Sequence, residues 1–313
     1  MKVFITGGCG QIGSHVAELH LARGDEILAI DNFETGRRIH LPEADDRLTF
    51  VEGSIADPVL VDQLVGDFKP DVLIHTAASY KDPDDWYSDM LTNGVGGVNL
   101  IKAAKANDVS RFVYFQTALT YGVQPLEHPI TLNHPKNPGN SSYSISKTTT
   151  EDYLELSGID YVTFRLANVV GPRNVSGPVP IFYERLKAGK QCFVTPARRD
   201  FVFVKDLART VIKAADGTGH GAYHFSSGED IAIIELYDAM VQALKLNDYP
   251  EPDKRPLEKD DAPSILLDPS RTVADFGDIE FTPLAQTVAE AVAYYDEHGV
   301  HGGYTHLKHD EAK

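Results

Sequence analysis

A glycine-rich loop next to the N-terminus constrains the fold of this chain more than any other feature. The apolar segment Val3–Thr6 leads directly into Gly7-Gly8-Cys9-Gly10-Gln11-Ile12-Gly13, and an amphipathic segment follows. Glycines at positions 7, 10 and 13 allow a tight turn, a close approach of the backbone to a phosphate, and close packing of the next helix on the strand. The unpaired N–H groups at the start of that helix would face the anion. Strand, loop and helix together predict a dinucleotide-binding unit, whereas the glycines alone also fit an ordinary tight turn.

Short apolar runs alternate with amphipathic segments through the first half of the chain. This alternation predicts an α/β fold, a Rossmann doubly wound parallel sheet with helices on both faces. The predicted strands are Val3–Thr6, Glu26–Ile30, Thr49–Glu52, Val72–His75, Phe112–Gln116 and Tyr161–Leu166. The predicted helices are Ser14–Arg23, Val59–Phe68, Leu91–Asn107 and Ser144–Leu156.

The alternation breaks after residue 165, where turn-rich segments begin. We therefore predict that residues 1–165 form a dinucleotide-binding domain, to which the chain returns at about residues 200–235. Residues 166–313 are predicted to form mainly a smaller, interleaved C-terminal region that binds the substrate.

The charge and the cysteine content exclude several classes of protein. Acidic side chains outnumber basic ones 46 to 29, and the formal net charge of −17 argues against a nucleic acid partner. The two cysteines, Cys9 and Cys192, cannot form a disulfide framework, and the 12 histidines show no metal-ligand spacing, so no metal is expected. The sequence shows neither a signal-peptide pattern nor an apolar run that could span a bilayer, which predicts a cytoplasmic protein without a membrane partner.

The residue at the end of the second predicted strand bears on cofactor choice. Asp31 lies 18 residues after Gly13. A carboxylate there accepts hydrogen bonds from ribose hydroxyls and repels a 2′-phosphate, so NAD is favoured over NADP. Arg37 and Arg38 follow closely and argue for a phosphate, but Asp31 carries more weight because it stands at the strand end itself.

Small or polar residues follow the next two predicted strands. Ser54 and Ile55 fit a turn that contacts adenine and, equally well, a helix cap. Ala77 and Ala78 offer small side chains where a cofactor would pass, or where a helix packs closely on a strand.

A tyrosine and a lysine four residues apart supply a possible proton acceptor. Tyr143 and Lys147 share one face of a predicted helix. A tyrosine with a pKa of about 10 is a poor base near neutral pH, but a lysine ammonium and an oxidised nicotinamide both favour its phenolate. Thr117 follows the fifth strand, at the sheet edge where ligands bind, and its hydroxyl could orient a substrate alcohol. Each residue alone fits an ordinary helix or strand end, but with the glycine loop they predict oxidation of a secondary alcohol.

Together these motifs resemble the extended short-chain dehydrogenases/reductases of the NAD-dependent epimerase/dehydratase family. The resemblance extends over nearly the whole chain. It includes the strand end Asp31-Asn32-Phe33, His75-Thr76-Ala77-Ala78, the segment at residues 165–173, Arg199-Asp200-Phe201 and Asp268-Pro269-Ser270-Arg271. Within the family, the chain is most similar to UDP-sugar 4-epimerases, and in particular to nucleotide-sugar epimerase/dehydratases of bacterial lipopolysaccharide O-antigen biosynthesis.

The resemblance implies a role for each matching position. Thr117, Tyr143 and Lys147 would form the catalytic triad. The implied NAD contacts are Gly7, Gly10, Gln11, Ile12, Gly13, Asp31, Asn32, Ser54, Ile55, Ala77, Ala78, Tyr143 and Lys147. The implied substrate contacts are Asn168 and Arg199 at the diphosphate, Val179 at the uracil, Arg255 as a second phosphate ligand, and Lys81 near the sugar. Asn93 would support the active-site helix, and Tyr80 and Lys81, which depart from the commonest pattern, would influence substrate choice.

The implied reaction is a redox-neutral inversion of the 4-hydroxyl of a UDP-sugar. Tyr143 would take the hydroxyl proton while carbon 4 gives a hydride to NAD, and the hydride would return to the other face of the ketose. Galactose, N-acetylated and uronic acid substrates remain open. The alternatives are a dehydratase, decarboxylase or reductase of the same family, and a non-enzymatic dinucleotide sensor, which would have no need of the triad.

Two further expectations follow from the resemblance. Family dehydratases and decarboxylases carry an acid one or two places after the triad threonine, where this chain has Ala118 and Leu119. This favours epimerisation, unless Asp82 or Asp84 reaches the site. A homodimer is expected through the predicted helices Leu91–Asn107 and Ser144–Leu156. The apolar stripe of Leu100, Ile101 and Ala104 fits that interface or, nearly as well, a face turned toward the sheet.

Overall fold

A seven-stranded parallel sheet forms the centre of the molecule. The computed structural model describes residues 1–139, 141–257, 261–277 and 279–304. The strands, numbered along the chain, are β1 (Lys2–Thr6), β2 (Glu26–Asp31), β3 (Leu48–Glu52), β4 (Val72–His75), β5 (Arg111–Thr117), β6 (Tyr161–Leu166), β7 (Asn168–Val170), β8 (Phe193–Val194), β9 (Arg198–Arg199), β10 (Phe201–Phe203), β11 (Gly221–Phe225), β12 (Ile231–Ala232), β13 (Asp253–Lys254) and β14 (Ser264–Ile265). The large sheet has the order β11-β6-β5-β4-β1-β2-β3, and every neighbouring pair in it is parallel. The predicted doubly wound α/β fold is confirmed.

The helices of the described residues cover both faces of this sheet or pack beside it. They are α1 (Gln11–Ala22), α2 (Pro58–Phe68), α3 (Trp86–Asp89), α4 (Gly97–Ala106), α5 (Ser142–Ser157), α6 (Pro178–Lys187), α7 (Val204–Ala215), α8 (Ile233–Ala243), α9 (Ser270–Phe276) and α10 (Leu284–His298). Side chains alternate between the two faces of the sheet along each strand, so the core has one part on each face. Val3 and Ile5 of β1 join α1 and α7 on one face, while Phe4 joins α2, α4 and α5 on the other. None of the helices in the described residues combines the length and apolar composition that crossing a bilayer requires.

A second apolar cluster lies outside the large sheet. It is built from α6, α8 and α10, with Val179, Phe182, Leu236, Met240 and Val292 among its buried members. Small sheets of two or three short strands connect this part of the chain to the rest. Strand β11 joins the large sheet, and α7 packs on one face of it. The carboxyl ends of β1, β2 and β4 therefore face a cleft bordered by residues from the second half of the chain.

The structure corrects two predictions about the segment around residues 91–107. The predicted α-helix Leu91–Asn107 is a π-helical segment at Met90–Gly96 that continues into α4, and the short helix α3 precedes it. The carbonyl of Asn93 in the π-helical segment accepts a hydrogen bond from the Thr150 hydroxyl of α5, a tertiary contact that helical periodicity cannot show. The proposed dimer stripe is also wrong: Leu100, Ile101 and Ala104 are buried in the core of their own chain, at 0%, 6% and 0% exposure.

Candidate active site

One cleft at the carboxyl edge of the sheet brings together nearly all the predicted cofactor residues. Its lining includes Gly7, Gly10, Gln11, Ile12, Asp31, Asn32, Ser54, Ile55, Ala77, Ala78, Tyr143 and Lys147. Gly13 lies directly behind the loop, where a Cβ atom would come 2.3 Å from the Gly7 carbonyl oxygen. The side chain at position 13 must therefore be absent for the first turn of α1 to approach the loop.

The glycine loop and α1 form a cradle suited to a diphosphate. Gly7 has a φ of +65°, and a Cβ atom there would lie 2.7 Å from the backbone nitrogen of Ala77. The first N–H groups of α1 have no partner within the helix. Within the described part of the chain, the Gln11 Nε2 donor is buried and has no hydrogen-bond partner. Arg173, which also lines the cleft, donates to the Ser14 Oγ at 2.9 Å and pairs with Glu18. Donors and positive charge at this end of the cleft fit phosphate oxygens.

Asp31 stands at the ribose end of the cleft, and burial raises the pKa of its carboxyl. Its Oδ2 accepts from the Cys9 N–H at 2.9 Å and its Oδ1 from the Phe33 N–H at 2.8 Å. The two nearby guanidinium groups point elsewhere. Arg37 donates to the carbonyl of His298 at 3.4 Å, and Arg38 donates to the carbonyls of Leu41 and Pro42 at 3.0 and 2.9 Å. In the part of the chain that the structure describes, no arginine pairs with Asp31, and such a carboxylate fits two free ribose hydroxyls better than a 2′-phosphate.

Tyr143 and Lys147 enter the cleft from the first two turns of α5. The helix begins after Ser141, whose Oγ accepts from the Ser144 N–H at 3.1 Å. The Lys147 ammonium lies 4.3 Å from the centroid of the Tyr114 ring. Burial lowers the pKa of Lys147 to about 7, while the charge of Glu151 opposes this change. Glu151 is itself paired with Arg165 through two hydrogen bonds of 3.0 and 3.2 Å.

The pKa of Tyr143 is raised by burial and by the neighbouring Tyr304 and Asp89. Tyr143 therefore stays protonated near neutral pH, and positive charge must enter the cleft to favour its phenolate.

Thr117 occupies the expected place, at the end of β5, but makes local contacts. Its Oγ1 accepts from the Leu119 N–H at 3.2 Å, and its own N–H donates to the Gln116 Oε1 at 2.7 Å. In the described ranges no hydrogen bond joins Thr117 to Tyr143, and Phe115 and Gln116 line the cleft where Thr117 does not. The assignment of Thr117 to a triad therefore stays a prediction.

Asn93 holds two parts of the site together, as the resemblance implies. Its Oδ1 accepts from the Ser79 N–H at 2.8 Å. Its Nδ2 donates to the Ser79 carbonyl at 2.9 Å and to the Ser146 Oγ at 3.1 Å. The buried amide thus ties the loop after β4 to the helix that carries Tyr143.

The structure adds three residues that the sequence did not assign to the site. Asp89 is 2% exposed, and the charges of Asp89 and Tyr143 influence each other. Tyr304, from the segment after α10, lines the cleft, and so does Arg173. Asp89 and Tyr304 lie more than 50 residues from Tyr143 in sequence, and no spacing pattern connects them. In the sequence, Arg173 stands out only as the last residue of the segment at residues 165–173.

The residues expected to bind the sugar nucleotide lie outside this cleft. Lys81 borders a smaller adjoining pocket together with Arg37 and Val175. Asn168 donates to the Asp200 carbonyl at 3.0 Å, and Val179 is fully buried at the start of α6. Arg199 donates to the Ala262 carbonyl at 2.7 Å and pairs with Asp261.

Arg255 lies on a different short sheet from Arg199. Its guanidinium pairs with Asp253 at 2.9 Å and covers the Phe193 ring at 4.4 Å. The structure thus gives no contact that assigns Arg255 to a phosphate. No group of three or more His, Cys, Asp and Glu side chains suited to a metal is found in residues 1–139, 141–257, 261–277 or 279–304.

Comparisons with known proteins support the interpretation of this cleft as a dinucleotide site. A model of the NAD dependent epimerase/dehydratase family matches residues 3–225. The UDP-glucose 4-epimerase of Mycolicibacterium smegmatis is 31% identical over 313 aligned residues, which cover 94% of this chain and 98% of the relative. The solved structure of the Bordetella bronchiseptica enzyme WbmH in complex with NAD+ has a TM-score of 0.93 and 70% identity, covering 95% of this chain and 99% of that chain. The Bordetella bronchiseptica enzyme WbmG in complex with NAD and UDP has a TM-score of 0.90 and 40% identity, covering 98% of each chain.

The expected cofactor and the expected family are both confirmed. NAD is the cofactor of this protein, and the donors and the Asp31 carboxylate of the cleft fit it. The chain belongs to the NAD dependent epimerase/dehydratase family.

Proposed function

We propose that this protein is a UDP-sugar 4-epimerase. The observation that carries the proposal is the position of Tyr143 and Lys147 in the same cleft as the glycine loop. A proton acceptor and a dinucleotide site that share one cleft suit oxidation of an alcohol held between them. Similarity to a UDP-glucose 4-epimerase, and to an enzyme crystallised with NAD and UDP, supports a UDP-sugar as substrate.

In the proposed reaction the side chains of this protein handle protons and position. Bound NAD supplies the two-electron acceptor and donor at carbon 4 of the sugar. The Tyr143 phenolate accepts the proton of the 4-hydroxyl and returns it after the sugar has presented its other face. Lys147 stabilises that phenolate and binds the cofactor ribose, because its ammonium donates three hydrogen bonds. Thr117 orients the sugar hydroxyl. Arg199 and Asn168 anchor the diphosphate while the sugar turns.

Residues after Thr117 favour inversion over elimination. Ala118 is buried and Leu119 packs against the same small apolar cluster as Tyr121 and Ile130. Neither side chain exchanges a proton. The two other acids considered from sequence, Asp82 and Asp84, are exposed and do not line the described cleft. The site is therefore equipped to oxidise and re-reduce one carbon, and poorly equipped to expel water or carbon dioxide.

We also propose a homodimer and a place in lipopolysaccharide O-antigen assembly. The second proposal depends on the sequence resemblance described above. The first depends on the second of the two expected helices, α5, and on a different stripe from the one expected: Ile145, Tyr153 and Leu156 are 42%, 49% and 79% exposed. An apolar stripe at helical spacing on the outside of a helix suits packing against another copy.

Product analysis tests the proposed reaction. Purified protein would be incubated with a panel of UDP-hexoses, N-acetylated UDP-hexosamines and UDP-uronic acids, and the products identified by NMR and mass spectrometry. A 4-epimer of unchanged mass, formed without accumulation of NADH, is the expected product. A product that has lost water or carbon dioxide would show that the protein performs one of the alternative reactions of the family.

A further inference from the structure

The segment after α10 contributes to the lining of the cofactor cleft and of the pocket beside it. We call residues 299–304 the C-terminal strap. The Tyr304 N–H donates to the Val175 carbonyl at 2.9 Å, and the Gly177 N–H donates to the Tyr304 carbonyl at 3.0 Å. These bonds form a parallel bridge between Tyr304 and Ser176. The strap is thus held by backbone atoms to the loop at residues 173–176, which itself lines the cleft.

The Tyr304 side chain lies in the lining of the cleft, near its reactive end. It shares the lining with Tyr80, Tyr143 and Lys147 on one side and with Glu34 and Asp31 on the other. Burial raises the pKa of Tyr304, and ionisation of Tyr304 would raise the pKa of both Tyr143 and Tyr80. This electrostatic influence agrees with its position near the Tyr143 hydroxyl. The strap therefore reaches from the ribose end of the cleft to the proton acceptor.

Packing and hydrogen bonds hold the strap in place. Val300 is 5% exposed and belongs to the second apolar cluster. His301 and Gly302 border the small pocket that also contains Arg37 and Lys81. The Gly299 N–H also donates to the Tyr295 carbonyl at 2.8 Å, and the Tyr304 side chain has a hydrogen bond with Ser176.

We propose that the C-terminal strap retains NAD in its cleft, and that the Tyr304 ring is the part that prevents release. The inference rests on the proposed function in one respect: an epimerase must keep its cofactor through both halves of the reaction, whereas a dehydrogenase exchanges it. A ring over the cleft slows release by blocking the exit path, so its effect falls on the dissociation rate.

The test measures release of NAD from the full-length protein. Protein loaded with radiolabelled NAD would be mixed with excess unlabelled NAD, and retained label followed by rapid filtration. Tyr304→Ala removes the ring and leaves the backbone bridge to Ser176 in place. We expect it to release NAD at least roughly 10-fold faster than the wild type. Tyr304→Phe, which keeps the ring, should release NAD at nearly the wild-type rate.

Tyr249→Ala provides the matched control. Tyr249 is a partly buried tyrosine that packs on the second apolar cluster, away from the lining of the cleft. Its loss should leave the release rate unchanged, and circular dichroism would verify the fold of all three variants. Release from Tyr304→Ala at the wild-type rate would overturn the proposal. The readout is cofactor release, so it stays valid even if product analysis identifies another reaction of the family.

Discussion

The ring of Tyr80 packs on the ring of Tyr143, with their centroids 3.9 Å apart and their planes inclined by 42°. The loop that carries Tyr80 is fixed to α5 through the Asn93 amide, so the contact joins two elements of the site. Two rings in such contact restrict each other's orientation. Tyr80 is therefore placed to hold the Tyr143 hydroxyl in one position relative to the sugar.

The first prediction follows from this contact. Tyr80→Ala should lower kcat by roughly 10- to 100-fold, because a misplaced base loses the advantage of alignment. Tyr80→Phe keeps the ring and should retain most of the activity. Steady-state rates with the UDP-sugar identified by product analysis make the comparison. Equal rates for Tyr80→Ala and the wild type would show that Tyr143 needs no support from Tyr80.

A second prediction concerns Tyr143 itself. Tyr143→Phe preserves the ring but removes the proton acceptor, and loss of a general base typically costs on the order of 10²–10⁴-fold in rate. NAD content after purification should match that of the wild type, since the glycine loop and Asp31 are untouched. Turnover near the wild-type level in Tyr143→Phe would remove the basis of the proposed mechanism.

The sheet could be predicted from sequence because most of its strands are buried on both faces, although the edge strand β3 is only partly buried. Each of the six predicted strands appears in the structure with its ends shifted by no more than one residue, as in β5, predicted at Phe112–Gln116 and found at Arg111–Thr117. The strand β11 was not predicted, since Gly221 and His224 interrupt its apolar pattern. The π-helical segment was not predicted, because it differs from an α-helix in its hydrogen bonds, which the apolar pattern does not show.

In the site, too, residues in local sequence motifs could be predicted, whereas residues placed by tertiary contacts could not. The glycine loop, Asp31 and the Tyr143/Lys147 pair could be identified because each depends on short-range spacing beside a strand or on a helix. Asp89 and Tyr304 could not, since only the folded chain places them near Tyr143. Arg37 and Arg38 looked like phosphate ligands by proximity to Asp31, yet their guanidinium groups are bound to backbone carbonyls elsewhere.

The third prediction uses the lowered pKa of Lys147, about 7 in the folded protein against 10.5 for an ordinary lysine. Between these two pH values the unfolded chain binds one more proton than the folded chain, so the free energy of unfolding rises with pH. At and below about pH 7 the cost of burying the ammonium is fully present. Lys147→Met should therefore stabilise the NAD-free protein most near pH 7 and below, and this gain should shrink as pH rises toward 10.5.

Denaturant unfolding at several pH values between about 6 and 9.5 measures this effect. In the variant, the Glu151 carboxylate is still paired with Arg165, so removal of the lysine does not leave an unpaired buried charge. Lys102→Met, on the exposed side of α4, is the control and should show no such pH dependence. A difference between Lys147→Met and wild type that does not change with pH would contradict the prediction.

The fourth prediction concerns Asp89. Its carboxyl pKa is raised by burial, and the hydroxyls of Ser142 and Ser79 oppose this change while the charges of Asp85 and Asp82 add to it. Tyr143 is faced by Asp89, by Tyr304 and Tyr80, and by Lys147 on its own helix. A negative charge on Asp89 disfavours the phenolate and so raises the pKa of Tyr143. Asp89→Asn should therefore move the acidic limb of the kcat/KM profile to lower pH.

The substitution is mild, because the Asp89 Oδ1 has no hydrogen-bond partner among the described residues. Asp84→Asn, an exposed neighbour in the same segment, should leave the profile in place. An acidic limb at the same pH in Asp89→Asn and wild type would show that Asp89 stays uncharged throughout the working range.

The last prediction concerns assembly through α5. Tyr153 lies at the middle of the exposed stripe between Ile145 and Leu156, and it is 49% exposed. An arginine there would bring two like charges together across a symmetric interface, because the same patch on each copy meets its counterpart. Tyr153→Arg should convert the homodimer to a monomer, as measured by light scattering at micromolar concentration. Leu126→Arg, at an 82% exposed loop position outside the stripe, should leave the mass unchanged. A monomeric wild-type protein, or a Tyr153→Arg protein that stays dimeric, would show that α5 is not the interface.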